Sequence, residues 1–262
     1  MDAKENVKLA NGERICWLSV GDEKSSAALC FEVFPYRLIG QVPPSEMQTF
    51  LQTLFHRWGL PDQIKVDNGL PLGNLHSDLP SALGFWFLSL GIEWVTNPPR
   101  RPQSNGLVEQ LQSVSRRWAS PHKQGSIESL QKRLNQAQQW QREGLPIPSL
   151  GNRTRQQAYP QLYQRRREFI PENKSLKLVK QYLCKQTYFR KVTRNGRISL
   201  LGRRFYIGRK YAGQEVELAF DPEISRFIVR DYRRKFILRL DTLTIGLAQI
   251  QGLEIPKNNR RT

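Results

Sequence analysis

The order of short apolar runs near the start of the chain constrains the fold more than any other feature. Val7–Ala10 and Glu13–Val20 flank Asn11-Gly12, a dipeptide typical of a tight hairpin because both residues tolerate positive φ. Ala27–Phe34 is a third apolar run of strand length. The sequence therefore predicts three successive antiparallel strands.

Helices and strands alternate after this meander. Apolar residues recur at helical spacing between Glu46 and Trp58, and Pro44-Ser45 before them favours a helix start. Gln63–Val66 and Ile92–Val95 have strand length, whereas Leu79–Leu90 predicts a second helix. A meander followed by this alternation predicts an α/β fold, a mixed five-stranded sheet with helices on its faces.

The pattern changes to short β runs near residue 186. Before that point, helices are predicted near 104–118 and 126–142, and Gly144–Gly151 resembles a linker. Thr187–Thr193 and Arg197–Leu201 flank Arg194-Asn195-Gly196, which predicts another hairpin. The later runs are Arg204–Ile207, Glu215–Phe220, Arg226–Val229 and Lys235–Leu240. They predict a small basic all-β domain, either a barrel or a sandwich.

Charge is distributed unevenly along the chain. Residues 1–100 carry 8 Lys/Arg and 11 Asp/Glu, whereas residues 101–262 carry 33 and 12. A basic region of this size is typical of polyanion-binding proteins, so nucleic acid is predicted as the partner over a merely solvated surface. In the predicted β domain, arginines alternate with Tyr188, Phe189, Phe205, Tyr206 and Tyr211. We expect those aromatic rings mainly in the core and the arginines at phosphates.

Cysteine, histidine and apolar patterns exclude several other classes. Cys16, Cys30 and Cys184 have no metal-binding spacing, and the three histidines are scattered, so no zinc site is predicted. The odd number of cysteines fits a reducing compartment, and we expect a cytoplasmic protein. No apolar stretch approaches the length of a membrane span.

Two acidic residues, Asp67 and Glu109, lie in sequence contexts typical of metal ligands. Asp67 ends an apolar strand pattern in Asp67-Asn68-Gly69, a tripeptide that is also ordinary turn chemistry. Glu109 follows a proline-rich loop that carries Arg100 and Arg101. A carboxylate at a strand end, and another beside a basic loop, are typical of a cation held against phosphate. This combination indicates nucleic-acid strand chemistry.

The helix that carries Glu109 is predicted to start at Ser104, a plausible N-cap. At about 100° per residue, Gln112, Ser113 and Arg116 share the face of Glu109. Leu107, Leu111, Val114 and Trp118 lie on the opposite face. The helix should therefore pack by its leucine face and present Glu109 and Arg116 outward.

Two carboxylates are few for a two-metal site, because such a site needs a bridging third acid. Asp2 on the first strand and Asp22 at the end of the second are both candidates. The composition of these segments does not indicate which of the two is the third acid.

Several segments together carry a resemblance to a known family. They are Asp2–Glu5, Leu9–Gly12, Trp17–Glu23, Val66–Gly69, Asn97–Glu109, Arg116–Pro121, Gln139–Glu143 and Ala158–Leu162. The set resembles the catalytic core of integrase-type DDE transposases of bacterial insertion sequences, which share an RNase H-like fold with retroviral integrases. The likeness covers nearly the whole chain.

The resemblance implies a catalytic triad of Asp2, Asp67 and Glu109 that binds Mg²⁺ or Mn²⁺, and it favours Asp2 over Asp22. The residues implied in DNA binding are Arg100, Arg101, Asn105, Arg116 and Arg117. Asn68 and Gln103 would orient ligands or the strand. The implied activity is DNA integration by metal-dependent phosphoryl transfer, the cleavage and joining of DNA strands. The implied partners are transposon ends, target DNA and further copies of the chain, in the bacterial nucleoid.

The resemblance also implies a domain order. It gives an RNase H-like core at 1–125, a helical extension and linker at 126–185, a small basic β-barrel-like DNA-binding domain at 186–250, and a basic tail at 251–262. Relatives usually begin with a helix-turn-helix region, whereas this chain starts one residue before Asp2. We therefore expect a truncated protein with Asp2 at a frayed end and weak activity.

Two alternatives remain open from the sequence. The first is a non-catalytic nucleic-acid-binding remnant of a transposase, which would bind DNA without metal. The second is an RNase H-type nuclease that acts on RNA–DNA hybrids, against which a separate basic β domain argues.

Overall fold

The computed structural model describes residues 1–66, 69, 71–73, 78–96, 106–241 and 245–255. Its contacts divide the chain into two compact units. The first unit comprises Met1–Leu75 with Trp94–Ile170, and the second comprises His76–Glu93 with Pro171–Thr262. In the described part of the chain, no helix combines the length and the apolar character needed to cross a bilayer.

The fold is mixed α/β, as predicted. In chain order, the elements are β1 (Asp2–Lys8), β2 (Arg14–Gly21), β3 (Ala28–Phe34), α1 (Pro44–Trp58), β4 (Gln63–Val66), α2 (Ala82–Ser89), β5 (Glu93–Thr96), α3 (Gly106–Ala119), α4 (Ile127–Gln139), α5 (Arg155–Ala158), α6 (Leu176–Leu183), β6 (Tyr188–Lys191), β7 (Arg197–Leu200), β8 (Arg203–Tyr206), β9 (Glu215–Asp221), β10 (Arg226–Arg230), β11 (Phe236–Arg239) and α7 (Leu247–Gln251).

The first unit is built on the antiparallel sheet β1–β2–β3. The predicted hairpin is present, with Gly12 at φ +87°, but β1 begins at Asp2 rather than at Val7. Residues 2–4 lack apolar alternation and join the sheet through their backbone, with Asp2 opposite Ser19. Strands β4 and β5 form a separate pair, so the single five-stranded sheet stays a prediction.

Helices α3 and α4 pack on one face of this sheet. The core between them contains buried apolar residues from every layer: Ile15, Trp17, Phe31, Val33, Leu111, Ala119, Leu130 and Leu134. Removing such side chains from water is the main favourable term in folding, at about 25 cal/mol per Å² of apolar surface. This packing fixes the position of α3 relative to β1.

Helix α4 and the π-helical turn that follows it, Trp140–Gly144, also close the free edge of β3 with side-chain amides. Gln138 accepts a hydrogen bond from the N–H of Phe31 at 2.9 Å, and Gln141 accepts one from Ala28 at 2.9 Å. Gln131 accepts from the N–H of Val33 at 2.8 Å. An unpaired edge strand offers its backbone to other chains. Here, glutamine side chains satisfy that backbone.

The second unit contains a four-stranded sheet in the order β11–β10–β9–β6 and a two-stranded ribbon, β7–β8. A turn forms at Thr193–Arg197, but the predicted pairing of the strands around it is wrong. The tight turn is at Leu201-Gly202, where both φ angles are positive, +49° and +72°. Such angles suit a two-residue hairpin and pair β7 with β8 instead, while β6 pairs with β9.

Three helices share the second unit with these strands. Helix α2 starts at the N-cap Ser81, whose hydroxyl accepts from the N–H of Gly84, and it packs against α6 and α7. These helices lie in the same compact unit as the strands. A separate small all-β domain at 186–250 therefore remains a prediction.

Candidate active site

Asp2 is the first residue of β1, and its carboxylate faces helix α3. Its Oδ2 accepts a hydrogen bond from Nε2 of Gln112 at 3.1 Å. Its Oδ1 accepts one from the N–H of Ala3 at 2.8 Å. Together with the pairing of Asp2 and Ser19, these bonds hold the residue in the strand. The expectation of a frayed end at Asp2 is therefore not met in this structure.

A glycine allows α3 to lie this close to the sheet. A Cβ atom on Gly21 would stand 2.6 Å from Cδ1 of Leu111, far inside the contact distance of two carbon atoms. Leu111 is buried, and Leu107 packs partly buried beside it. The leucine face of the helix thus packs inward as predicted, and Gly21 sets its distance from β2.

Glu109 lies on the exposed side of α3, as do Arg116 and Arg117. Gln112 was expected on this outer face as well, and that expectation is wrong, since the side chain is 8% exposed. Its amide turns inward because the carboxylate of Asp2 lies there. Residues three apart on a helix are neighbours, with Cβ atoms about 5–6 Å apart. The residue that bonds Asp2 therefore lies one helical turn after Glu109.

The start of β1 also lies beside the end of β4. The amino group of Met1 donates a hydrogen bond to the carbonyl oxygen of Lys65 at 2.7 Å, two residues before Asp67 in the sequence. Burial lowers the pKa of this amino group to about 6, against a smaller raising effect from Asp2.

Six predicted site residues lie outside the described ranges. They are Asp67, Asn68, Arg100, Arg101, Gln103 and Asn105. Within the described ranges, no three His, Cys, Asp or Glu side chains gather as a metal site would require. Of the predicted triad, the described residues contain Asp2 and Glu109.

The described donors nevertheless suit a hard divalent cation, because Mg²⁺ prefers carboxylate oxygen and water. Ser19, the cross-strand neighbour of Asp2, is fully buried. Its Oγ has no hydrogen-bond partner among the described residues. Such an orphaned hydroxyl is costly, and a water on a nearby cation would satisfy it. The polar groups beside Asp2 therefore fit a hydrated metal.

Asp22, the other candidate for the first acid, has a different role. Its Oδ2 accepts hydrogen bonds from the backbone N–H of Ser25 at 2.7 Å and from the Ser25 hydroxyl at 2.6 Å. These bonds stabilise the turn between β2 and β3. Asp22 therefore acts as a structural acid at a strand end.

Sequence reasoning missed the contributions of Gln112 and Ser19. A helical projection places Gln112 with the polar residues, and nothing in the sequence marks it as buried. Ser19 lies in an apolar strand, where a serine gives no signal of its own. Both residues are identified only by the partners that folding brings to Asp2.

A scan against models of known protein families finds no match for this chain. Solved structures similar to it include two integrase catalytic core domains and one intasome. The catalytic core domain of BIV integrase is 18% identical, with a TM-score of 0.44, over 61% of this chain and 92% of that one. The HTLV-2 integrase catalytic core domain, in complex with magnesium, is 17% identical, with a TM-score of 0.42, over 60% and 93%.

The third similar structure is a simian T-cell lymphotropic virus intasome in complex with PP2A regulatory subunit B56 gamma. It is 17% identical, with a TM-score of 0.45, over 90% of this chain and 77% of that one. Similarity at this level assigns neither a family nor an activity to the chain.

Proposed function

We propose that this chain cleaves and joins DNA strands by metal-dependent phosphoryl transfer, as an integrase-type transposase. Asp2, Asp67 and Glu109 would hold Mg²⁺ or Mn²⁺. The observation that carries the proposal is the hydrogen bond from Gln112 to Asp2. It links Asp2 on the first strand to the residue one helical turn after Glu109, although 106 residues separate these two acids in the sequence.

A divalent cation at such a site would activate a water or a 3′-hydroxyl and stabilise the leaving oxygen. The chain's own residues would orient the reacting groups. Gln112 donates to one oxygen of Asp2 and so fixes the plane of that carboxylate. Glu109 is exposed and free to turn toward a ligand. Asp67 would add the third carboxylate next to the end of β4, which the Met1–Lys65 bond ties to β1.

DNA would lie along the exposed face of α3. Arg116 is seven residues after Glu109, so it returns to the same face about two turns later. Arg117 is also exposed beside it. Guanidinium groups on this helix would bind the phosphate backbone next to the reacting phosphodiester. Arg100, Arg101 and Asn105 would extend this contact, with Asn68 and Gln103 orienting the ligands or the strand.

The domain organisation proposed for this function follows the order expected from the sequence. Residues 1–125 would form the catalytic core, 126–185 a helical extension with a linker, 186–250 a DNA-binding β domain and 251–262 a basic tail. Several copies would assemble on DNA to hold two transposon ends and a target.

The test is nicking and strand transfer on plasmid DNA with Mg²⁺ or Mn²⁺. Asp67→Asn and Glu109→Gln should each lower the rate roughly 10²–10³-fold, because a lost ligand removes several kcal/mol of charge stabilisation. Asp62→Asn and Glu13→Gln are matched controls at exposed acids, and they should leave the rate unchanged. Undiminished strand transfer in both test variants would refute the proposal.

A second candidate is a non-catalytic DNA-binding remnant of a transposase. The basic composition of residues 101–262, with 33 Lys/Arg against 12 Asp/Glu, favours it independently of any acid. If the chain is such a remnant, it should bind DNA in EDTA with strong salt dependence and show no metal-dependent nicking.

A further inference from the structure

The arginines of the four-stranded sheet in the second unit are matched by carboxylates. Arg190 contacts Asp78 at 2.6 Å, and Arg230 lies 3.5 Å from Glu217. Arg239 lies 2.5 Å from Asp241, and Arg226 lies 3.9 Å from the same carboxylate. An arginine already facing a carboxylate gains less from a phosphate, because the acid repels that ligand.

The β7–β8 ribbon has the opposite character. Residues 191–214 contain seven Lys/Arg and no Asp/Glu. Cross-strand pairing sets Arg197 opposite Tyr206 and Ser199 opposite Arg204, and all four side chains are exposed. Within the described chain, Arg197 and Arg204 face no carboxylate at ion-pair distance. These four residues are called the ribbon face.

The buried side of the ribbon holds this face in place. Ile198, Leu200 and Phe205 are buried, and they alternate with the exposed residues as the two-residue period of a strand requires. The four residues of the ribbon face therefore point away from the core together. The orientation is a property of the strand pair and not of flexible surface loops.

Two neighbouring turns extend the positive charge at one end of the ribbon. The carbonyl oxygen of Gly196 accepts from the N–H of Ile207 at 2.8 Å and of Gly208 at 3.2 Å. A Cβ atom on Gly196 would stand 2.6 Å from the backbone nitrogen of Arg209. The turn that carries Arg194 is thus packed against the turn that carries Arg209, and both side chains are exposed.

Tyr206 gives this surface a second chemical character. Its side chain is 60% exposed and lies opposite a guanidinium, whereas Phe205, its neighbour in the strand, is buried. An exposed aromatic ring beside Arg197 and Arg204 matches the two elements of single-strand recognition, namely stacking on a base and contact with the phosphates on either side.

We propose that the ribbon face binds unpaired nucleotides of a DNA strand. Arg197 and Arg204 contact phosphates, and Tyr206 stacks on a base. This assignment deepens the proposed function by naming where a separated strand is held, and it requires no metal.

The test measures binding of a fluorescent oligo-deoxythymidine to the full chain, in EDTA, over a series of KCl concentrations. The double variant Arg197→Gln/Arg204→Gln should reduce the slope of log affinity against log salt by roughly 1.4, about 0.7 for each phosphate contact. The matched control Arg226→Gln/Arg239→Gln removes two ion-paired arginines and should leave the slope unchanged. Thermal unfolding of each variant verifies that it folds.

Stacking is tested separately at Tyr206. Tyr206→Leu should weaken oligo-deoxythymidine binding at least about fivefold, the lower range for loss of one stacked base, whereas Tyr206→Phe should keep the affinity. Binding to a blunt duplex should not respond to Tyr206→Leu.

Three outcomes would overturn the assignment. They are an equal loss of slope in the control double variant, an unchanged affinity in Tyr206→Leu, and an equal loss on single strand and duplex. Since all measurements are made without metal, a failure here is distinct from a failure of strand transfer at Asp67 and Glu109.

Discussion

Helices α3 and α4 pack on the same face of the sheet β1–β2–β3, and both bury glutamine side chains, yet they use them differently. On α4, Gln131 and Gln138 bond the backbone of β3 and complete the edge of the sheet. On α3, Gln112 bonds the side chain of Asp2 instead. One helix closes the scaffold, and the other bonds an acid of the proposed site.

The difference shows how a buried amide acquires its role. An amide that meets a backbone N–H is fully used by the fold, because a buried donor must be paired. An amide that donates to a carboxylate, as Gln112 does to Asp2, instead orients the side chain of that acid. Gln112 occupies one acceptor site of Asp2, and an ionised carboxylate offers about four such sites. Substituting one buried glutamine at a time, on α3 or on α4, tests these two roles.

The largest expected effect is on activity, at Gln112. Gln112→Leu should lower metal-dependent strand transfer roughly 10- to 100-fold, the usual cost of losing a group that orients a metal ligand. It should also raise the Mg²⁺ concentration needed for half activity, a change that a purely structural role would not produce. Ser113→Ala, the exposed neighbour on α3, is the control. Unchanged activity and unchanged Mg²⁺ demand would show that Gln112 does not position Asp2.

The next effect is on stability, at Gln138. Gln138→Leu leaves the buried N–H of Phe31 without its acceptor, so the free energy of unfolding should fall by about 1–3 kcal/mol. Urea unfolding measures it. The control is Gln139→Leu, at an exposed position on the same helix, which should change stability by less than about 0.5 kcal/mol. Equal midpoints for the two variants would mean that the amide does not support the edge.

The smallest effect, of opposite sign, is expected at Ser19. Its hydroxyl is as buried as the amide of Gln138 but has no partner among the described residues. Ser19→Ala should therefore stabilise the metal-free protein by about 1 kcal/mol or less, because an unsatisfied polar group is removed. Urea unfolding in EDTA checks the sign. A loss of stability comparable to that of Gln138→Leu would show that the hydroxyl is bonded after all.

Much of the first unit follows from local patterns. Turns and helix ends are marked by Asn11-Gly12, Pro44-Ser45 and Gly59. Strand β4 matches its predicted bounds at Gln63–Val66. The apolar face of α3 was also predictable, because its period is a property of the helix alone. The start of β1 was not, since charged residues join a strand only when a neighbour supplies the hydrogen bonds.

In the second unit, the locations of the strands were predictable and their partners were not. The sequence around Asn195-Gly196 favours a hairpin, but Leu201-Gly202 provides the two-residue turn. A leucine at positive φ gives no sequence signal. Pairing between strands depends on which turn is tighter and which apolar faces meet, both of which are tertiary properties.

By itself, the sequence determined which segments become strands and helices, where the charge lies, and which face of α3 packs inward, because local propensity and periodicity act within a few residues. Only the tertiary structure decided that Gln112 turns inward to Asp2, that the amides of α4 close the edge of β3, and that Arg197 and Arg204 face no carboxylate among the described residues while the arginines of the larger sheet do. Each of these depends on contacts between segments distant in the chain, and no local pattern encodes such contacts.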